Sequence, residues 1–119
     1  MTQPVTPDEI DPVIHERARL AIVSALAVAA ELSFNELKDQ LGLTDGNLSA
    51  HARTLEDAGY VRIDKRFRGR RPHTTLSLTA RGRLAFQRYV AMLQRIVEQG
   101  RQAAESGNAG AAKSGARKS

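Results

Sequence analysis

The side chains in this 119-residue chain with the plainest chemical purpose are guanidinium groups at short spacing. Arg66, Arg68, Arg70 and Arg71 surround Gly69, Lys65 stands just before them, and Arg53 lies earlier. A guanidinium presents five donors in a rigid fork, which suits phosphate oxygens and the edge of guanine. Solvated arginines are the ordinary alternative. It weakens here because residues 47–83 carry nine Lys/Arg against three Asp/Glu, whereas residues 1–46 carry three against eight. A surface that meets only water needs no such separation of charge; one that meets phosphate does.

Other chemistries find little support. With no cysteine, disulfides, iron–sulfur clusters and thiolate metal sites are excluded. His15, His51 and His73 are far apart and no pair has i, i+4 spacing, so no metal site is expected. There is no nucleophile–base pattern and no phosphate-cradling glycine loop; neither an enzyme nor a cofactor is expected. No apolar run reaches about 18 residues, and the N-terminus lacks a basic and apolar leader. The expectation is a cytoplasmic protein with no membrane partner. A hydrophobic fraction of 41% supplies one modest core, hence one domain.

The elements that must position these arginines can be read in order. Residues 1–10 are polar and contain proline, as a flexible arm would. Asp11-Pro12 predicts a helix start, running to about Ala30. Its wide apolar face is Ile14, Ala18, Ala21, Ile22, Ala25, Val28 and Ala29. A second stripe of Leu20, Val23, Ala27 and Ala30 suggests a subunit interface or merely exposed methyl groups. Ser33 to Glu36 fits a capping box for a short second helix with Phe34, Leu37 and Leu41 inward. Gly42 turns the chain, Leu43 plugs the core, Thr44 caps a third helix and Gly59 ends it. Helix, short glycine turn, helix is the helix-turn-helix arrangement.

On that third helix Leu48, Ala52 and Leu55 form a narrow apolar seam. Gly46, Asn47, Ser49, Ala50, Arg53 and Thr54 face away, a set small, polar or cationic enough for a major groove. Asn47 and Ser49 could equally serve helix-start chemistry, and His51, at the edge of the seam, could be structural or touch phosphate. Val61 and Ile63 alternate with Arg62 and Asp64, and Leu76 and Leu78 return in register, so a hairpin follows with Phe67 to Pro72 as its tip. Thr79 caps a last helix from about Ala80 to Gln99. It carries two apolar stripes, Phe86/Val90/Leu93/Val97 and Ala85/Tyr89/Met92/Ile96, which call for a second subunit. Residues 100–119 are Gly/Ala/Ser-rich and cationic, a disordered basic tail that either attracts nucleic acid or only solubilises.

The run Ser49-Ala50-His51, then Leu55-Glu56-Asp57-Ala58-Gly59-Tyr60-Val61, resembles the signature that closes the recognition helix in ArsR- and MarR-type repressors. Phe67 to Thr75, then Leu78-Thr79 and Gly82-Arg83, is similar to one branch of small single-domain winged-helix regulators. The resemblance spans about residues 11–99. It departs at Ala52, where the signature has Leu, and in lacking the ArsR metal ligands. It implies an α+β winged helix-turn-helix fold: three helices, a hairpin wing, and a fourth helix for dimerisation. It also places Ser49 and His51 on the DNA side.

Together these readings set the expectations. The protein is read as a homodimeric repressor on a pseudo-palindromic operator in double-stranded DNA. The DNA-binding residues are Asn35, Asn47, Ser49, Ala50, His51, Arg53, Thr54, Lys65, Arg66, Arg68, Arg70 and Arg71. The dimer interface is Leu20, Val23, Ala27, Phe86, Tyr89, Val90, Leu93, Ile96 and Val97. A small-molecule effector would have to sit between the first and last helices or at the dimer interface. A protein-interaction module and a structured-RNA binder stand as alternatives.

Overall fold

A computed structural model describes residues 3–118, with side chains described up to residue 107. A 3-10 turn at Pro7–Glu9 is followed by α1 (Arg17–Val28), β1 (Leu32–Ser33), α2 (Phe34–Leu41) and α3 (Asp45–Asp57). Then come β2 (Val61–Arg68), β3 (Arg71–Leu78) and α4 (Ala80–Lys118). The three strands form an antiparallel sheet in the order β1-β3-β2. This is the α+β winged-helix fold expected from the sequence.

Local chemistry accounts for most of the element ends. The Ser33 hydroxyl accepts from the Glu36 amide at 3.0 Å, and the Glu36 carboxylate accepts from the Ser33 amide at 2.9 Å. Gly42 ends α2 at φ 64° and lets the Leu43 amide reach the Lys38 carbonyl. The Thr44 hydroxyl accepts from the Asn47 amide at 3.1 Å, and Gly59, at φ 80°, turns the chain out of α3.

The residues from Asp11 to Tyr89 form one compact unit. Its core is Ile22, Val23, Leu26, Leu37, Leu48, Ala52, Leu55, Val61 and Leu76, with Phe34, Leu41, Leu43, Ile63, Leu78 and Phe86 packed around it. Val61 pairs with Leu78 and Ile63 with Leu76, so the hairpin lays its apolar face on the helices as its alternation predicts.

Several expectations are corrected. The first helix begins at Arg17 with Glu16 as its cap, not at Asp11; Asp11 caps only the preceding turn, accepting from Val13 and Ile14. Its core face is Ile22, Val23 and Leu26, and Val28, expected inside, is 92% exposed. An alanine-rich helix apolar on every side gives no period from which to read its phase. Val23 is therefore spent on the subunit's own core and is not available to a partner. The same holds for Tyr89, 3% exposed, whose hydroxyl lies 2.8 Å from His15 Nδ1. The strands also run farther than expected, through Phe67 and Pro72 to the pair Arg68 and Arg71, so the tip is only Gly69-Arg70. Glycine in the first of two turn positions is what a primed hairpin turn favours, and Gly69 adopts φ 62°.

Residues 3–10 and the helix from Val90 onward form a second unit. Residues 1–10 were expected to be a flexible arm. Instead Arg95 donates to the carbonyls of Gln3 and Pro4 at 2.9 and 3.1 Å and forms an ion pair with Glu9. Thr6 and Glu9 close a capping box around the 3-10 turn. The backbone of α4 continues past Gln99 to Lys118, where a disordered tail was expected. Over residues 98–105 it is supported by Arg101, which pairs with Glu98 at 2.5 Å and Glu105 at 2.6 Å, one turn away on either side. The side chains of Lys113, Arg117 and Lys118, considered above for attraction to nucleic acid, lie outside the described residues.

Candidate nucleic-acid interface

The outward face of α3 is built by its inward one. Leu48, Ala52 and Leu55 are buried, and this fixes the rotation of the helix about its axis. Asn47, Ser49, Ala50, Arg53 and Thr54 are consequently exposed. Thr54 donates its hydroxyl hydrogen to the Ala50 carbonyl at 3.2 Å, leaving its oxygen lone pairs outward. Asn35, at the start of α2, is exposed as well.

His51 is placed differently from its neighbours. It is half-buried, and its Nδ1 lies 3.2 Å from Arg19 Nη1 and 3.7 Å from Glu16 Oε1. Arg19 can only donate, so Nδ1 acts as the acceptor and the longer Glu16 contact is secondary. Glu16 also caps α1 through the amides of Ala18 and Arg19. The Arg19 amide above all, with desolvation opposing it, holds the Glu16 carboxyl below its usual range. His51 thus ties α3 to α1. The structural alternative fits it better than a phosphate contact does.

Along β2 the side chains alternate between two faces. Arg62, Asp64 and Arg66 share one, and Asp64 Oδ2 accepts from both arginines, at 3.3 and 3.4 Å. Arg66 is therefore partly engaged within the wing. Lys65, Arg68, Arg70 and Arg71 are exposed and, with Arg53, form no ion pair among the described residues. Arg68 and Arg71 stand directly opposite each other in the ladder. Like charges in register disfavour the bare hairpin, and an anion across them relieves the repulsion. A cleft lined by Ser49, Arg53 and Glu56 of α3 and by Ile63, Lys65 and Thr74 of the sheet brings Arg53 and Lys65 to one site.

The join between α3 and the wing is held by side-chain hydrogen bonds and a close backbone contact. Tyr60 donates its hydroxyl hydrogen to Asp11 Oδ2 at 2.5 Å. Thr79 donates to the Gly59 carbonyl at 2.6 Å and caps α4 by accepting from the Gly82 amide at 2.9 Å. A Cβ on Gly82 would fall 2.0 Å from the Tyr60 carbonyl oxygen, so only glycine lets α4 approach here. The sequence pattern carries Gly82 only as part of the resemblance and gives no sign of this contact, which joins residues 22 positions apart. Phe67, not among the expected site residues, is 75% exposed at the end of the wing.

The residues expected at a subunit interface divide. Val23 and Tyr89 are buried, Leu20, Ala27, Phe86 and Val90 are half-buried, and Leu93, Ile96 and Val97 are 37%, 42% and 68% exposed. Among the described residues no cluster of three metal-ligating side chains occurs, and no helix is long and apolar enough to cross a membrane.

Comparison with known proteins agrees with this geometry. A family model described as a winged helix DNA-binding domain matches residues 18–97. An uncharacterized protein of Methanocaldococcus jannaschii is 39% identical over 72 residues, 60% of this chain and 78% of that one. The solved structure of a transcriptional regulator homologue from Pyrococcus horikoshii superimposes with a TM-score of 0.69 at 29% identity, covering 73% of this chain and 86% of its own. A putative transcriptional regulator from Salmonella typhimurium shares the fold, with a TM-score of 0.61 at 21% identity over 79% of this chain and 83% of its own.

Proposed function

Since this chain belongs to the winged helix DNA-binding domain family, we propose that it is a sequence-specific transcriptional repressor that binds a pseudo-palindromic operator as a homodimer. It is a DNA-binding protein and not an enzyme. The observation that carries the finer reading is the convergence of the exposed face of α3 with a wing whose outer cations form no ion pair among the described residues. Asn47, Ser49, Ala50, Arg53 and Thr54 would meet base edges and phosphates in the major groove. Lys65, Arg68, Arg70 and Arg71 would hold the backbone or minor groove beside it, with Arg66 and Asn35 contributing from their edges. His51 would act as a positioning residue through Arg19 and Glu16.

The homodimer rests on Leu93, Ile96 and Val97, which leave an apolar stripe in water along the middle of α4. Repression would follow from occlusion of a promoter that overlaps the operator.

The test is an anisotropy titration over a range of salt concentrations with three probes: a duplex from upstream of the protein's own gene, a scrambled duplex and an RNA hairpin. A steep salt slope with preference for the upstream duplex is the expected result, each phosphate contributing about −0.9 to the slope. Equal affinity for both duplexes would remove sequence specificity from the proposal. Preference for the hairpin would replace DNA by RNA.

A further inference from the structure

Phe67 is an apolar ring held in water at the far end of a cationic hairpin. The chain has only five Phe and Tyr residues, and this one is 75% exposed. The strand register explains why it is not simply part of the core. The pairs Val61/Leu78, Ile63/Leu76, Lys65/Thr74 and Phe67/Pro72 share one face of the hairpin, while Arg62/Ser77, Asp64/Thr75, Arg66/His73 and Arg68/Arg71 share the other. The face that begins buried on the helices at Val61 therefore ends in an apolar ring paired in register with proline, beyond Lys65 and beyond the cleft shared with α3. At the tip the two faces differ in kind: Phe67 and Pro72 on the side of α3, guanidinium groups on the other.

We propose that Phe67, backed by Pro72, is an apolar wedge that packs into the minor groove of duplex DNA beside the major groove read by α3. This rests on the reading of α3 and the wing as a DNA interface and names a specific contact within it. The surroundings select the occupant. Lys65 precedes the ring on its own face, Arg70 follows in the turn, and Arg66, Arg68 and Arg71 line the opposite face, so a protein surface docking on Phe67 would have to accept a strongly cationic hairpin end around one apolar spot. A minor groove supplies the matching pattern: phosphates on both walls, with sugar carbons and base edges between them. Phe and Pro side chains are well suited to such insertion, because they bury area without needing a hydrogen bond. Binding of this kind contributes affinity that salt does not screen, since no counterion is released by an apolar contact.

The experiment compares wild type, Phe67→Ala, Phe67→Leu and the triple variant Arg68/Arg70/Arg71→Ala by anisotropy across salt concentrations, with hydroxyl-radical footprinting of the deoxyriboses that flank each half-site. Phe67→Ala should keep its thermal midpoint and its oligomeric state, because the ring is exposed. It should lose about tenfold in affinity at an unchanged salt slope, and lose the flanking protection. Phe67→Leu should recover most of the affinity. The triple variant should instead flatten the slope. A Phe67→Ala protein with wild-type affinity and footprint overturns the inference while leaving the DNA-binding reading intact. So does a change in its oligomeric state, which would make the ring a contact between copies of this chain. A wild type that binds no duplex overturns both readings together.

Discussion

Tyr60 donates to Asp11 across the junction that sets α3 against β2, and burial first, then that bond, pushes its phenol up to about 12. An unfolded tyrosine titrates near 10. Between those values the unfolded chain gives up a proton that the folded chain keeps, so the contribution of Tyr60 to stability is constant below about pH 10 and falls as pH rises towards 12. Denaturant midpoints measured from pH 9 to 12 should show this decline, and Tyr60→Phe should reduce it. A few residues away the constraint is steric. Gly82→Ala forces a methyl group onto the Tyr60 carbonyl oxygen, and the contact is with backbone, which cannot swing aside. A loss of about 3 kcal/mol is expected in a denaturant titration; a loss near zero would mean that α4 can slide along Tyr60. Arg53 belongs to the opposite class. It is exposed and makes no ion pair among the described residues, so Arg53→Ala should leave the midpoint unchanged and weaken operator binding by about 1–3 kcal/mol, relaxing the preference at one base position.

The wing shows what an element adds beyond its residues. Its strands hold Arg68 and Arg71 opposite each other and carry Arg70 in the turn between them, at fixed spacing. Replacing all three by alanine should lower the slope of log affinity against log salt by about 2 to 3, with little effect on the choice between duplexes, because phosphate contacts carry no sequence information. Loss of discrimination with an unchanged slope would instead assign these arginines to base edges. Elements with this kind of local logic were legible in the sequence. Ser33, Thr44 and Thr79 cap the helices they were expected to cap, and Gly42 and Gly59 turn the chain where only a left-handed conformation allows it. What could not be read were the features that depend on distant partners. The two-residue strand β1 exists only because β3 lies beside it, and α1 turns Leu26 inward and Val28 outward for reasons that its uniformly apolar composition does not encode. His51 was left between two roles because its partners, Glu16 and Arg19, come from another helix. Phe67 was read as part of the tip, because nothing local in the sequence shows that the ladder continues to the pair Arg68 and Arg71 and so gives Phe67 a defined face.

Charge is the property of the whole molecule that bears most directly on how it would meet an operator. The excess of cations lies between residues 47 and 83, which include α3 and the wing, and the excess of anions lies before them. A single copy with this asymmetry can orient on DNA but has one recognition helix, and so one short half-site to read. Two copies joined through the exposed stripe of Leu93, Ile96 and Val97 would read two, with centres about 10 bp apart so that both helices face the same side of the duplex. Inserting about 5 bp between half-sites turns the second one to the far side, and the affinity should fall to that of an isolated half-site. The variant Leu93→Glu/Val97→Glu places charge in the stripe without touching α3 or the wing. It should sediment as a monomer, bind the half-site as the wild type does, and be indifferent to the insertion. Both halves of this prediction are needed. A wild type indifferent to spacing would show that the copies bind independently even if they associate in solution. A charged-stripe variant that stays dimeric would move the interface elsewhere on the molecule, and would leave the stripe of Leu93, Ile96 and Val97 as a surface for some other partner.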